Sequence, residues 1–338
     1  RPSRTIMRKI AAVVLTIVVF LPTPASSASD TLWDDARISP ISEGTIGGIS
    51  IDLTNTSTQS SESSQISELP SLVEVYTATW CTNCVKTEKA LDEAIGDSDV
   101  TRIHYHRFWF ETLDPFGSNS TDERWVEVYG RGSTLSSETS YSSGMERIAP
   151  SNVFDGERMY TGISTNSNSL ETDYSTALSL GSSHPFSQNG TLILEAERTS
   201  LANESPVYNV SWGYDLWWPD GTCNVVGWLL FVEETAYFPE GSNGKGNYSH
   251  ILHKAVKLNS EAYQNFSIKE SIEVIPPTPW DGDDMSVILI LDWSSLQEEK
   301  SNSSLPAPTV SALLLMLAAL VPRRHKYSFE QDETSSMG

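Results

Sequence analysis

Leu72-Val73-Glu74-Val75-Tyr76-Thr77-Ala78-Thr79-Trp80-Cys81-Thr82-Asn83-Cys84-Val85-Lys86 is the stretch from which the rest of the chain is read. Leu72 to Ala78, rich in β-branched and aromatic residues, predicts a strand. Val85 to Ile95 sets Leu91, Ala94 and Ile95 on one face and predicts a helix. Trp80 and the Cys-x-x-Cys pair Cys81/Cys84 therefore stand where a strand turns into a helix. Unpaired N–H groups and the macrodipole at a helix start favour an anion, so a thiolate at Cys81 forms at lower pH than in a free cysteine. Three uses of the pair stay open from the residues alone: thiol-disulfide exchange, a static structural disulfide, and capture of a soft ion such as Cu(I). A loop of two residues closes little chain entropy, which makes it a poor staple.

Working outward, Val100–Phe110 reads as a second strand. A helix capped by Thr121 or Asp122 follows and runs through Tyr129, and Gly130–Gly144 reads as a Gly/Ser/Thr-rich loop. Ile148–Phe154 and Glu157–Thr161 read as strands turning at Asp155-Gly156, and Leu170–Leu180 as a last helix. The order is β-α-β-α-β-β-α.

This segment, residues 70–181, resembles the thioredoxin superfamily. The residues that carry the resemblance are Trp80-Cys81-Thr82-Asn83-Cys84 and Ala149-Pro150-Ser151-Asn152-Val153-Phe154-Asp155-Gly156, the second of which looks like the cis-proline loop with its strand and hairpin. The resemblance implies an α/β thioredoxin-like domain and thiol-disulfide oxidoreductase activity on protein disulfides or dithiols. In that reading Cys81 is the nucleophile and Cys84 the resolving thiol, and Trp80, Ala149 and Pro150 line the substrate groove. No cofactor and no metal enter the scheme. The chain departs from the family at the position six residues before the first cysteine, where a buried acid is replaced by Val75; Glu74 beside it points to the other strand face. Thr82-Asn83 matches neither the Gly-Pro of reducing members nor the Pro-His of strong oxidants, so redox direction is not legible.

Residues 185–297 form a second region of β-type segments: Leu192–Glu197, Val207–Trp218, Val225–Glu233, His250–Leu258, Phe266–Val274 and Ser286–Trp293. Tyr208, Val210, Trp212 and Tyr214 alternate on one face, which predicts an antiparallel β-sandwich domain. Trp228–Glu233 with Tyr248–Val256 resembles the β-domain that bacterial surface lipoproteins join to a thioredoxin-like domain. Cys223 is the odd cysteine, read as a free buried thiol or an intermolecular partner. His104 and His106 share a strand face without an evident third metal ligand. Asp281, Asp283 and Asp284 read as a solvated acidic loop rather than a Ca²⁺ site.

The flanks read as targeting and tethering sequence. Met7, Arg8-Lys9, the apolar run Ile10–Leu21 and the small residues before Ala28 predict a signal peptide with upstream residues over 1–28. Residues 29–69 are expected to be a Ser/Thr-rich linker; nine of the fourteen residues Thr54–Ser67 are Ser or Thr. After a stalk over 298–304, residues 305–322 form an apolar run of 18 residues, about 27 Å as a helix against a hydrocarbon core of about 30 Å. It reads as a single transmembrane helix or a cut sorting segment, with Arg323-Arg324-His325-Lys326 opening a cytoplasmic tail over 323–338. Eight N-x-Ser/Thr sequons, from Asn55 to Asn302, fit an exported glycoprotein.

The chain carries a net charge of −22, and residues 30–304 carry 15 basic against 41 acidic residues, a net −26. So acidic a body excludes a nucleic-acid partner of the usual basic-surface kind. The expectation is a single-pass protein of the cell membrane whose domains lie on the extracytoplasmic side and act on protein thiol or disulfide clients. A non-catalytic cell-surface binding protein with a structural Cys81–Cys84 disulfide is the alternative.

Overall fold

A computed structural model describes residues 36, 38, 43–53, 58–108, 114–138, 143–201, 203–218, 223–262 and 266–295. Within them the chain is β-rich, with twelve strands and three α-helices. The strands are β1 (Glu43–Asp52), β2 (Gln59–Gln65), β3 (Ser71–Thr77), β4 (Val100–His106), β5 (Ser151–Phe154), β6 (Arg158–Thr161), β7 (Thr191–Arg198), β8 (Tyr208–Leu216), β9 (Cys223–Tyr237), β10 (Asn247–Ala262), β11 (Phe266–Val274) and β12 (Met285–Ser295). The helices are α1 (Thr82–Ile95), α2 (Asn119–Ser137) and α3 (Leu170–Leu180).

One mixed sheet of eight strands runs β1-β12-β9-β10-β4-β3-β5-β6, and a four-stranded antiparallel sheet runs β11-β8-β7-β2. The eight-stranded sheet spans both sequence regions, because β10 meets β4 in parallel at Ile251 and His104. Strand alternation then assigns each face. From β9, Leu229 and Phe231 point to the four-stranded sheet and pack with Leu194, Val210 and Trp212. Trp228, Leu230 and Val232 point the other way and join Tyr76, Tyr105, Trp125 and Tyr129 beneath α2. On the opposite face of β3, Val73 and Val75 pack with Leu91 of α1 and Tyr174 and Ala177 of α3.

Two expectations are corrected. Residues 29–69 are not linker throughout: β1 pairs with β12 and β2 with β7, both antiparallel. Composition hid them for opposite reasons. In β1, Ile46, Ile49 and Ile51 are buried but are interrupted by Gly47-Gly48, where the register shifts and Gly47 takes φ 139°. In β2 the polar side chains are largely exposed, and an edge strand is held by backbone hydrogen bonds that composition does not reveal. Nor is Gly130–Gly144 a loop throughout, since α2 continues to Ser137. A capping box of Ser118 and Thr121 starts that helix. Its Gly132 serves close packing, since a Cβ there would lie 2.6 Å from Ile38.

The expected signal peptide (1–28), stalk, apolar segment 305–322 and tail lie outside the described residues. Among the described residues, no helix is long and apolar enough to cross a membrane.

Candidate functional site

Cys81 and Cys84 form a disulfide with Cα atoms 5.3 Å apart. Cys81 is the N-cap residue of α1, in extended conformation, and its Sγ accepts from Cys84 N at 3.1 Å. The sulfur thus takes the place of a capping oxygen and faces the positive end of the helix. Cys81 is 6% exposed and Cys84 is fully buried. Thr82 and Asn83 are exposed and Trp80 is half-buried, so the open side of the pair lies there. Ala78 forms a small buried cluster with the two cysteines, Trp80 and Ala149 pack against that cluster, and the Arg107 guanidinium lies 5.8 Å from the Trp80 ring centre.

The Ala149–Pro150 peptide bond is cis, and β5 begins immediately after it. β5 pairs antiparallel with β3, from Tyr76↔Ser151 to Val73↔Phe154. The structure therefore brings together all five residues singled out from sequence: Trp80, Cys81, Cys84, Ala149 and Pro150.

The backbone just before the pair is held from three directions. Thr79 N donates to Asp114 Oδ2 at 2.8 Å, and Asp114 also bonds His106 Nδ1 at 3.1 Å. From the β9–β10 loop, Asn243 N donates to Thr79 O at 3.1 Å and Asn243 Nδ2 to Ala78 O at 3.3 Å. Tyr248 Oη donates to Thr79 O at 3.3 Å. Burial, reinforced by Asp114, pushes the Tyr248 phenol up to about 12, so it stays a donor. On α1, Glu88 accepts from Thr77 Oγ1 at 2.8 Å and pairs with Lys245.

His104 and His106 are both buried on β4. Burial, then Arg102 and His250, hold His104 well below the usual imidazole range, and its ring stacks edge-on to His250 at 5.6 Å. Among the described residues no group of three or more His, Cys, Asp or Glu is placed to hold a metal. In the acidic loop, Asp281 accepts from Tyr237 N at 2.7 Å and Asp284 from Thr235 N at 3.0 Å, so these carboxylates fasten the loop to β9. Cys223 is a free thiol, buried at the start of β9, and burial pushes it up to about 11.

Sequence reading missed the polar pairs that tie the elements together, because each joins residues far apart in the chain. Buried Arg124 pairs with buried Glu74 and with half-buried Asp292, and fully buried Glu233 pairs with His253 at 2.6 Å. Lys245 belongs to the same class. An acid at the fourth position after Cys84 and a loop lysine carry no local signature.

No protein-family model and no curated protein sequence matches the chain. Among solved structures, a protein of Agrobacterium tumefaciens is similar at 16% identity and TM-score 0.38, over 65% of this chain and 93% of its own. HBP35 of Porphyromonas gingivalis is similar at 14% identity and TM-score 0.37, over 68% of this chain and 76% of its own. Likenesses of this size identify neither a family nor an activity.

Proposed function

We propose that the chain is a thiol-disulfide oxidoreductase acting on protein disulfides or dithiols, with a thioredoxin-like α/β arrangement around Cys81 and Cys84. In this reading it is held on the extracytoplasmic side of the cell membrane through residues 305–322. The observation that carries the reading is the disulfide at the start of α1, with Cys81 capping the helix and Ala149 packed against the small cluster that holds the two cysteines. A helix N-terminus stabilises the thiolate that exchange chemistry requires.

The exchange runs in two displacements. With the pair reduced, the Cys81 thiolate attacks one sulfur of a client disulfide, forms a mixed disulfide and expels a client thiolate. The Cys84 thiolate then attacks Cys81 Sγ, closes the Cys81–Cys84 bond and expels the second client thiolate. Two electrons pass to the client, both client thiolates take protons from solvent, and a dithiol donor returns the pair to its reduced form. Run backwards, the same steps oxidise a client.

The low exposure of both cysteines favours one other reading, a structural disulfide in a cell-surface binding protein. Equilibrating the full chain with redox buffers decides between them. A reversible midpoint between about −270 and −120 mV supports the enzyme, whereas a pair that resists reduction to below about −300 mV supports the binding protein.

A further inference from the structure

The second sequence region reaches the cysteine helix through a charge. Lys245, in the loop between β9 and β10, donates from Nζ to Glu88 Oε2, a partner 157 residues away in sequence. The Glu88 side chain is 8% exposed and that of Lys245 is 24% exposed. Glu88 stands four residues after Cys84 on the buried face of α1, so the two Cβ atoms are about 5–6 Å apart. The other Glu88 oxygen accepts from Thr77 Oγ1 at 2.8 Å, and Lys245 Nζ also lies 5.2 Å from the Tyr248 ring centre. The carboxylate beside the pair is thus fixed to β3 on one side and neutralised from the β9–β10 loop on the other.

Opposite charges this close leave little net field at the sulfurs, while either charge alone acts strongly where burial lowers the effective dielectric. We propose that the Glu88–Lys245 ion pair sets the redox poise of the Cys81–Cys84 pair, so that the second region tunes the site and is not a spacer. The proposal rests on the redox reading above and names two positioning residues, neither of which touches the reacting atoms. Reduction by a dithiol adds two electrons to the S–S bond, oxidises the donor to its disulfide and leaves a thiol together with a thiol or thiolate at the pair. Without Lys245, the bare Glu88 carboxylate repels the thiolate and disfavours the reduced state. Without the Glu88 charge, the Lys245 ammonium attracts the thiolate and favours it.

Opposite signs separate this from a packing role, which would move both variants the same way. The full chain is compared as wild type, Lys245→Met, Glu88→Gln, the double variant and Lys245→Arg, each equilibrated with dithiothreitol buffers at pH 7. The reduced fraction is trapped by alkylation and read by mass spectrometry. Lys245→Met is expected to lower the equilibrium constant for reduction about threefold or more, equivalent to about 14 mV for a two-electron couple. Glu88→Gln is expected to raise it by a similar factor, and the double variant and Lys245→Arg to stay within about twofold of wild type. Shifts of the same sign, or none beyond about twofold, overturn the proposal. Glu88→Gln is isosteric and keeps an acceptor for Thr77, so if Lys245→Met fails to fold the sign of Glu88→Gln alone decides. Dithiothreitol reaches low potentials, so the shifts remain readable when the wild-type midpoint falls below about −300 mV. That midpoint would end the catalytic reading and leave the sign test to judge this one.

Discussion

Arg124 and Glu74 form an ion pair sealed between α2 and the eight-stranded sheet, with Nη2 donating to Oε1 at 2.9 Å and side chains 0% and 1% exposed. Nη1 of the same guanidinium donates to Asp292 Oδ2 at 2.9 Å, which links α2 to β12 as well as β3. The Tyr105 and Tyr129 hydroxyls also donate to Glu74. Burial above all holds both phenols well above their usual range, so they remain donors at any physiological pH. Removing the cation strands two acids, one of them fully buried. Arg124→Met is therefore expected to lower the unfolding free energy by about 3–5 kcal/mol, the usual cost of breaking a buried pair. Glu74→Gln added to it is expected to recover part of that loss. Urea unfolding of the two single variants and the double closes the cycle, and additive losses would show that the two groups are not coupled.

How far the chain was legible depends on whether a signal was local. Strand β3, helix α1 and the hairpin at Asp155-Gly156 announce themselves through alternation, helical spacing and turn residues, and the structure places them within a few residues of the reading. The cysteine pair and Ala149-Pro150 are likewise local signals that meet in space. Strands β1 and β2 were illegible because one is broken by two glycines and the other shows serine to solvent. The joining of β10 to β4 has no sequence signature at all, since parallel pairing between distant segments depends on the whole sheet. Lys245 was invisible for the same reason, and it is the residue on which the further inference turns.

Asp155 gives a dependence on pH with a definite sign. Its Oδ1 accepts from Leu72 N at 2.9 Å, but burial is the larger effect and raises the carboxyl from 3.8 to about 6. The folded state therefore binds a proton more tightly than the unfolded chain. That contribution to stability is full below about pH 4 and is lost as the pH rises through about 6. A shift of this size corresponds to about 2–3 kcal/mol between the two limits. Asparagine tolerates the φ of 49° found here and retains the acceptor for Leu72, but it does not titrate. The difference in urea stability between wild type and Asp155→Asn is expected to change by that amount from pH 4 to pH 7. A constant difference would rule out Asp155 as the titrating group.

Gly156 has two reasons to be glycine. Its φ is +67°, and a Cβ would stand 2.6 Å from Thr45 N, closer still to Thr45 Oγ1. The left-handed conformation alone costs an L-residue roughly 1–2 kcal/mol. The collision falls on the backbone of β1, which cannot swing aside as a side-chain tip can, and Thr45 N already donates to Asp155 O at 2.8 Å. Gly156→Ala is therefore expected to cost more than about 2 kcal/mol in thermal or urea unfolding. Gly162→Ala, where φ is +77° with nothing within 4 Å, is the control for strain without collision. Equal losses at the two sites would show that the β1 contact carries no weight.

Reduction should sort the three thiols by environment. Cys81 caps α1 and retains some exposure, Cys84 is sealed beneath it, and Cys223 is buried with its thiol pushed up to about 11. Thiolate fraction and access both favour Cys81. Brief treatment of the reduced, folded chain with iodoacetamide at pH 7 is expected to label Cys81 at least about tenfold faster than Cys84 or Cys223. Peptide mass spectrometry reads the order directly. Labelling of Cys84 first would reverse the assignment of nucleophile and resolving thiol. Labelling of Cys223 at a comparable rate would show that the start of β9 opens in solution and would make that thiol a second reactive site.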